Sequence, residues 1–405
     1  MNRAPRRRTV LGALLAGAAL TAAPVRPGPP RPAAPGRDAP PVRDRASAPA
    51  VLPHADRLLL GTYTSAEGGG TGIGTAAYDA TSGAVSAGPV ITGVDDPSYL
   101  ALHPSGRTVY AVDERRNGAV TAIALSPDGR HRVLGARATG GAGPAHLSVH
   151  PSGRWLLTAN YGSGSVVVHP IGADGSLGER THLVAHTAPP PGPGQDGPHT
   201  HQIVTTPDGG HVLAVDLGND TVYTYRLDEK HGRLAQVSRA ALRPGAGPRH
   251  LAFHPGGRFA YLACELDNTT VLCGYDPATG VLSPGTPLST GTGGANYPAQ
   301  FLVAADGRFA YLANRGHNSL TRYAVEDGGA ALRQLDTVPA GGDFPRQIAF
   351  SPDGGLLFAA NQRSGTVTVF RVGARDGALT RTGAPFPFPA AVCVLSYRAN
   401  DVSRP

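Results

Sequence analysis

Cysteine is scarce in this sequence, and hydrophobic runs of membrane-spanning length are missing. Three cysteines, Cys264, Cys273 and Cys393, are too few for a disulfide framework in a chain of 405 residues. Cys264 and Cys273 fall on neighbouring predicted strands, where a disulfide and two packed thiols are both compatible with the pattern. The longest apolar run, residues 10–23, has 14 residues. A spanning helix needs about 18–20 residues, so we expect no membrane span in the mature protein.

The larger part of the chain also lacks a surplus of charge, although the formal net charge is +7. Residues 1–57 hold ten arginines and three aspartates, which account for this whole surplus. The basic residues of the remainder are balanced by acidic residues, and they are scattered rather than clustered. Binding to nucleic acid or to an anionic membrane surface therefore has no support.

Residues 1–23 have the organisation of an export signal. Three arginines (residues 6–8) precede the apolar run, and small residues follow it where a peptidase could cut. The arginine pair directly before Thr9 resembles a twin-arginine signal, which exports folded proteins. Residues 24–56, rich in Pro, Arg and Ala, are predicted to be a disordered linker. We therefore expect an exported protein, extracellular or associated with the cell wall.

A strand–turn–strand unit recurs along the rest of the chain. In its clearest copy, an apolar segment follows Pro248, His-Pro-Gly-Gly-Arg forms a turn, and a second apolar segment ends before Glu265. The repeat position recurs with spacings of 47, 56, 48, 50 and 47 residues, at Pro97, Pro144, Thr200, Pro248, Pro298 and Pro345. Such a period, with short strands and Gly-rich turns, is typical of propellers, in which each repeat forms a four-stranded blade. No convincing amphipathic helix is present, so the protein is predicted to be all-β.

The two ends of the repeat region supply a seventh blade. Residues 389–397 resemble an inner strand without partners, whereas residues 58–63 and 72–78 resemble second and third strands without an inner strand. Joining them closes the ring with one C-terminal and three N-terminal strands and removes the open sheet edges. The sequence therefore predicts a seven-bladed β-propeller over residues 57–398, followed by a tail, 399–405.

Two positions of each repeat are predicted to share one mouth of the central channel, because the inner strand begins where the second strand ends. They are the residue after the repeat proline and the residue seventeen positions after that proline. A purely structural repeat would show similar residues in every copy, but five polar residues differ from most of their counterparts: His201, Arg249, Glu265, Arg315 and Arg346. An imidazole, a carboxylate and several guanidinium groups together indicate an acid/base group beside an anion site. The alternative is a solvated polar rim.

No metal or other cofactor is expected. His199 and His201 form a His-x-His pair, which can bind zinc, but the only nearby further ligands are His186 and Asp196. The asparagines and aspartates that end the second strands are interpreted as turn residues, with a calcium site as the alternative. The Pro- and Gly-rich insert 188–197 is expected to overhang the mouth as a wall or lid.

The sequence resembles the seven-bladed propeller lactonase family, which contains bacterial 6-phosphogluconolactonases and, more distantly, fungal muconate lactonising enzymes. The resemblance covers residues 57–398. Its more specific motifs are Gly-Pro-His-Thr-His-Gln (197–202) and Gly-Pro-Arg-His (247–250), and shorter matches are Gly-Thr-Tyr-Thr (61–64), Ala-Asn-Tyr-Gly (159–162), Cys-Glu-Leu (264–266) and Asn-Arg-Gly-His-Asn-Ser (314–319). It implies a catalytic set of His201, Arg249, Glu265 and Arg315.

The resemblance implies hydrolysis of a sugar-type lactone. In this interpretation His201 is the general base, because an ordinary histidine pKa of ~6.5 suits proton transfer near neutrality. Arg249 and Arg315 hold the carbonyl oxygen and any carboxylate or phosphate, and Glu265 orients an arginine or is itself the base. Further substrate contacts are expected from His199, Gln202, His250, Gln300, Arg346 and Gln347.

Two other functions would use the same rim. A non-catalytic exported propeller would bind a protein or glycan there, although the rim series offers only Tyr99 and Tyr161 as aromatic residues. A cycloisomerase that closes the lactone ring would need the same residues as a hydrolase. The expected partner is a small-molecule lactone, and the expected state is a monomer.

Overall fold

The structure is a computed structural model that describes residues 56–398 except 127, 193 and 194. The predicted export signal, nearly all of the predicted linker and the tail lie outside these residues. In the described part, regular structure consists of β-strands and one 3-10 turn, Asp327–Gly329. No helix there is long and apolar enough to cross a membrane.

Twenty-nine strands are present in the described residues. Those of the first half of the chain are β1 (Asp56–Thr62), β2 (Ile73–Tyr78), β3 (Val85–Ile91), β4 (Leu100–Leu102), β5 (Thr108–Asp113), β6 (Ala119–Ala124), β7 (Arg132–Ala138), β8 (Pro144–Val149), β9 (Trp155–Asn160), β10 (Ser165–Pro170), β11 (His182–Ala185), β12 (Thr200–Thr205), β13 (Val212–Asp216) and β14 (Thr221–Asp228). Those of the second half are β15 (Arg233–Ala241), β16 (Pro248–Phe253), β17 (Phe259–Cys264), β18 (Thr269–Asp276), β19 (Val281–Ser289), β20 (Tyr297–Val303), β21 (Phe309–Arg315), β22 (Ser319–Glu326), β23 (Ala331–Pro339), β24 (Pro345–Phe350), β25 (Leu356–Asn361), β26 (Thr366–Val372), β27 (Leu379–Arg381), β28 (Phe386–Pro387) and β29 (Ala391–Arg398).

The strands form seven antiparallel sheets, which are the blades of a propeller. Six blades follow chain order from the inner strand outwards, and they are β4–β7, β8–β11, β12–β15, β16–β19, β20–β23 and β24–β28. In the last of these the outer strand is divided, because β27 and β28 both pair with β26. The prediction of seven blades is therefore confirmed.

The seventh blade has the strand order β29-β1-β2-β3. Asp56 lies opposite Arg398, and Leu60 lies opposite Val394, so the C-terminal strand pairs along β1. The predicted closure by one C-terminal and three N-terminal strands is therefore confirmed. This closure pairs the edges of β1 and β29 with each other, so neither of them is left without a partner.

The turns that join inner and second strands have a local cause in the repeated His-Pro-Ser-Gly-Arg motif. In the first blade Gly106 donates its backbone N–H to the His103 carbonyl at 2.8 Å. Its φ is 71°, a left-handed conformation that glycine adopts without the steric cost of a side chain. These turns lie on the face opposite the mouth. The second strands therefore end on the face that contains the mouth.

The hydrophobic core lies between neighbouring blades rather than in one central mass. For example, Leu213 and Val215 of β13 pack with Leu262 and Val271 of the next blade. The second strands are buried on both faces, as β9 shows over its whole length, and this explains their unbroken apolar runs.

All three cysteines lie inside these layers as free thiols. The sequence left two alternatives for Cys264 and Cys273, a disulfide or two packed thiols. The structure contains the two packed thiols. Burial raises the pKa of Cys273 and of Cys393 to about 12, and a thiol that stays protonated is a poor nucleophile.

Candidate active site

The strand register brings two positions of the repeat to the same mouth of the channel, as predicted. They are the residue after the repeat proline and the residue that follows the second strand. Pro248 lies opposite Cys264 and His250 lies opposite Ala263, so Arg249 is the unpaired residue of a β-bulge next to the position where Glu265 follows β17. The same pairing joins the start of each inner strand to the end of its second strand in other blades. The seventh blade follows it too, since Thr62 lies opposite Ala391.

Glu265 lies between two arginines at the channel mouth. Its Oε2 atom is 2.5 Å from Arg315 Nη2 and 3.1 Å from Arg249 Nε. Arg249 is 2% exposed, and its Nη1 donates to the Ala299 carbonyl at 2.8 Å. Arg315 donates from Nε to the Tyr297 carbonyl at 3.1 Å. Both guanidinium groups are therefore fixed by backbone acceptors as well as by the carboxylate.

The charge state of this group follows from its neighbours. Burial alone would raise the pKa of Glu265, but Arg315, Arg249 and Arg346 together outweigh burial and hold the pKa below its usual range. Burial and the two nearby guanidinium groups lower the pKa of Arg249, although a guanidinium remains protonated at neutral pH. Glu265 is therefore a carboxylate of low basicity, which suits an orienting role better than that of a base.

A second ion group lies at the same mouth. The Tyr63 hydroxyl donates to Glu114 Oε2 at 2.8 Å, and Arg346 Nη2 is 3.5 Å from Glu114 Oε1. The Arg346 guanidinium also lies over the Tyr63 ring, 5.5 Å from its centroid. The sequence predictions included Arg346 but neither Glu114 nor Tyr63. The missed signal was positional, because Tyr63 follows the second strand of the closing blade as Glu265 follows β17.

His201 lies beside these charged groups and belongs to a cluster of buried rings. Its ring centroid is 5.1 Å from that of His250 and 5.5 Å from that of Tyr161, and it is 5% exposed. The His250 ring contacts His146 at 5.4 Å, and His146 contacts Tyr99 at 4.1 Å. Neither nitrogen of His250 has a hydrogen-bond partner, and Nδ1 of His201 has none either. Nδ1 of His201 and both ring nitrogens of His250 therefore have unused hydrogen-bonding capacity inside the cluster.

The imidazoles of this cluster are neutral near pH 7. Burial, followed by the positive charge of Arg249, lowers the pKa of His201 and of His250 well below the usual value. The same two causes lower the pKa of His146 to about 3. A neutral imidazole nitrogen can accept a proton, so His201 has the protonation state of a general base. Its lowered pKa nevertheless makes it a weaker base than the ordinary histidine that the sequence interpretation assumed.

A narrow pocket opens between these groups. It is lined by His201, Arg249, His250 and Arg346, with Val392 of the closing blade on one side, and its volume is about 220 Å³ including the part open to solvent. The mouth has three guanidinium groups and two carboxylates beside neutral imidazoles, so one positive charge is in excess. A substrate anion, or the oxyanion of a transition state, is therefore favoured there.

Three predicted substrate contacts have a structural partner in the next blade. Gln202 donates from Nε2 to the Leu251 carbonyl and accepts the Leu251 N–H, at 3.2 and 2.6 Å. Gln347 makes the same pair of bonds with Val394, at 3.1 and 2.7 Å. Gln300 accepts the Ile348 N–H with its side-chain Oε1, at 3.4 Å. These amides join neighbouring inner strands, and their contact with substrate stays a prediction.

His199 is held at the outer side of the mouth. Its ring stacks on Tyr161 at 4.6 Å, Nδ1 bonds the Tyr161 carbonyl, and Nε2 lies 2.7 Å from Asp196. His186, the other suggested metal ligand, bonds Asp216 and Tyr225 instead. The described residues contain no group of three or more His, Cys, Asp or Glu side chains placed to hold a metal ion.

The end of the Pro- and Gly-rich insert is attached beside the mouth. Gln195 donates from Nε2 to the Leu217 carbonyl and to Asp220, both at 2.8 Å. Leu217 follows β13, in the position that Glu265 has after β17. The described part of the insert therefore lies against the rim of the third blade, as a wall. Closure as a lid stays a prediction.

Comparison with known proteins agrees with this architecture. Residues 57–396 match the family described as "Lactonase, 7-bladed beta-propeller". The chain belongs to this lactonase family. It is 35% identical over 345 residues to the 6-phosphogluconolactonase of Bacillus subtilis, with 83% of this chain and 96% of the relative covered.

Solved structures show the same similarity. The periplasmic gluconolactonase of Pseudomonas aeruginosa is 32% identical with a TM-score of 0.78, and the match covers 84% of this chain and 98% of that chain. A protein from Lactobacillus plantarum is 30% identical with a TM-score of 0.79, covering 85% and 99%. The fold expected from the resemblance is thus confirmed over nearly the whole length of these relatives.

Proposed function

We propose that the protein hydrolyses a sugar-type lactone at the channel mouth, as a carboxylic-ester hydrolase. The observation that supports this most directly is the joint placement of a neutral imidazole, His201, and two guanidinium groups fixed by Glu265. Ester hydrolysis needs a base for the attacking water and donors for the carbonyl oxygen. His201 and Arg249 line one narrow pocket at the mouth, and Glu265 connects Arg249 to Arg315 beside it.

In the proposed mechanism His201 takes a proton from a water molecule as its oxygen attacks the lactone carbonyl carbon. The carbonyl oxygen becomes an oxyanion, which Arg249 and Arg315 stabilise with charge-assisted hydrogen bonds. The intermediate collapses, the bond to the ring oxygen breaks, and protonated His201 returns the proton to that oxygen. Returning this proton leaves His201 neutral. The product is a hydroxy acid, which becomes a carboxylate when its acid proton is lost to solvent.

The excess positive charge of the mouth favours a sugar lactone that carries an anionic group such as a phosphate. It also suits an uncharged sugar lactone, because hydrolysis turns the ester into a carboxylate. The relatives' names include a 6-phosphogluconolactonase and a periplasmic gluconolactonase. We propose one of these two substrate types for this chain. Export by a twin-arginine signal, proposed from residues 1–23, would give it access to lactones outside the cytosol.

The test is hydrolysis by the purified full chain of glucono-lactone, its 6-phosphate and a muconolactone, measured above the spontaneous rate. Arg249→Ala and Glu265→Ala should each lower kcat/KM by about 100-fold or more, in line with the loss of a transition-state donor or of its support. Arg154→Ala and Glu229→Ala are matched controls, because this surface ion pair of 2.7 Å lies away from the mouth. A folded protein without turnover on any of these lactones would favour the binding-module alternative.

A further inference from the structure

Phe344 has an unusual backbone conformation at the edge of the candidate site. Seven non-glycine residues have positive φ in the described part of the chain, and five of them are aspartate or asparagine. Those two residue types tolerate the left-handed region, whereas a bulky residue there is strained. Phe344 has a φ of 64° and is the only aromatic residue of the seven. It also precedes Pro345, which adds a further steric restriction.

The same position has this conformation in five of the seven blades, whereas the equivalent His199 and Tyr297 do not have positive φ. Phe344 is the residue before the repeat proline, and the equivalent Gly143 and Gly247 also have positive φ, 56° and 61°. Asp96 and Ala390 occupy the same position in two more blades, with φ of 37° and 45°. Glycine would satisfy the backbone in this position without strain. A phenylalanine therefore needs a reason that lies in its side chain.

The surrounding residues hold this backbone firmly. Phe344 donates its N–H to Asn318 Oδ1 at 2.8 Å, and its carbonyl accepts the Gln362 N–H at 3.0 Å. Asn318 in turn donates to Asp343 at 2.7 Å. Strained residues persist where neighbours over-determine them, and they are concentrated at functional sites.

Two guanidinium groups lie over the Phe344 ring. The Cζ atom of Arg363 is 3.8 Å from the ring centroid, and that of Arg315 is 5.3 Å away. Both distances are within the range of attractive cation–π contacts. Arg315 is the residue whose other end contacts Glu265. The ring thus adds an attractive contact to the Arg315 guanidinium, which offsets part of its repulsion from Arg346 and Arg249.

We propose that Phe344 is a positioning residue for Arg315, and that its left-handed backbone is retained because it places the ring against this guanidinium. The effect on hydrolysis rests on the proposed function, whereas the effect on the geometry of Arg315 does not. Arg363 contacts the ring as well and limits its movement. Phe344 acts through Arg315 and has no chemical role of its own.

The test compares two variants that relieve the same backbone strain. Phe344→Gly should lower kcat/KM about tenfold, chiefly through kcat because the oxyanion contact is loosened. Ala390→Gly, at the equivalent position of the closing blade, should leave the kinetics unchanged. Phe344→Tyr keeps the ring and should retain activity. A merely structural role of Phe344 would instead lower the melting temperature of Phe344→Gly without changing kcat in the folded protein.

A double-mutant cycle shows whether the effect passes through Arg315. Arg315→Lys keeps the charge but lacks the planar group, so Phe344→Gly should cost much less in that background than in the wild type. Equal costs in both backgrounds would overturn the proposal. A crystal structure of Phe344→Gly gives a readout independent of activity, because the Arg315–Glu265 contact should lengthen or become disordered. If the wild type hydrolyses no lactone, the proposed function fails, and an unchanged contact in this crystal structure would overturn the positioning role separately.

Discussion

His201 differs from an ordinary surface histidine because burial and Arg249 disfavour its charged form. A base of lowered pKa stays unprotonated in weakly acidic solution, so the rate should not fall at the usual histidine pKa of about 6.5. We predict that kcat/KM is constant from pH 8 to pH 6 and decreases only at lower pH. The measurement is a pH–rate profile of the wild type, on a lactone whose spontaneous hydrolysis is subtracted. An acid limb centred near 6.5 would contradict the protonation state assigned to His201.

Glu265 should matter for stability as well as for turnover. Glu265→Gln leaves Arg249 and Arg315 close together without their shared carboxylate, and unpaired buried charge destabilises a folded protein. We predict a loss of about 1–3 kcal/mol in the free energy of unfolding, measured by urea denaturation at pH 7. Glu229→Gln is the matched control, since an exposed ion pair contributes about 0–1 kcal/mol. Equal losses in the two variants would show that the mouth ion group is no more important than a surface pair.

The sequence could predict some of these residues because the repeat makes exceptions visible. Arg249 and Glu265 were recognisable since they differ from their counterparts in other blades. Tyr63 and Glu114 also stand directly after second strands, so their position at the mouth could be predicted. Their contacts with each other and with Arg346 join different blades, and no spacing along the chain encodes those contacts. The contacts of the Phe344 ring with Arg315 and Arg363 could not be predicted for the same reason.

At the scale of the strand, His146 occupies the position that glutamine has in three other inner strands. The side chain in this position accepts a backbone N–H of the next blade. Nδ1 of His146 lies 3.4 Å from the backbone nitrogen of Ile203, as the oxygens of Gln202, Gln300 and Gln347 lie near theirs. Unlike an amide, this imidazole titrates, and its pKa is lowered from 6.5 to about 3 by burial and by Arg249. The unfolded chain therefore binds a proton below pH 6.5 that the native state does not.

This difference makes stability depend on pH with a definite sign. The contribution of His146 is unchanged above pH 6.5 and becomes increasingly unfavourable as the pH falls from 6.5 towards 3. We predict that His146→Gln unfolds like the wild type at pH 7 but is more stable by about 2–3 kcal/mol at pH 4.5. Chemical denaturation at the two pH values measures this. No gain at pH 4.5 would mean that His146 is protonated in the native state.

The blade-to-blade role of the glutamines could not be predicted from the sequence. A polar residue near a channel mouth suggests a substrate contact when only its position along the strand is known. Gln202 and Gln347 show the other possibility, since both amide atoms reach the backbone of the neighbouring blade. The distance between adjacent inner strands decides between these roles, and it exists only once the ring has closed.

At the scale of the whole molecule, the closing strand β29 joins the two ends of the chain. Ala391, Val392, Val394 and Tyr397 are buried, and each buried apolar side chain contributes up to about 1.5–3 kcal/mol. Total stabilities of domains are about 5–15 kcal/mol. We predict that a chain ending at residue 390 loses cooperative unfolding, whereas a chain ending at Arg398 keeps it. Thermal denaturation monitored by circular dichroism compares the two, and equal melting temperatures would show that the seventh blade is dispensable.

The fold was far more predictable than the site. Six copies of one motif define the blade, and the unmatched strands at residues 58–63 and 389–397 could only pair with each other. The division of the sixth outer strand into β27 and β28 was not predictable, because outer strands have few core contacts and a weak pattern. The repeat therefore predicts how the ring closes, whereas the candidate site consists of single residues that differ from the repeat.

The closing blade also fixes where the two chain ends leave the ring. β1 runs from Asp56 towards Tyr63 at the mouth, and β29 runs from Ala391 at the mouth to Arg398, which lies opposite Asp56. Both ends of the propeller therefore emerge side by side on the face away from the pocket. A tag, a carrier protein or a solid support joined directly at residue 56 or 398 would be attached on the face away from the pocket. The pocket would then face the solution, which makes this propeller suited to immobilisation with its mouth unobstructed.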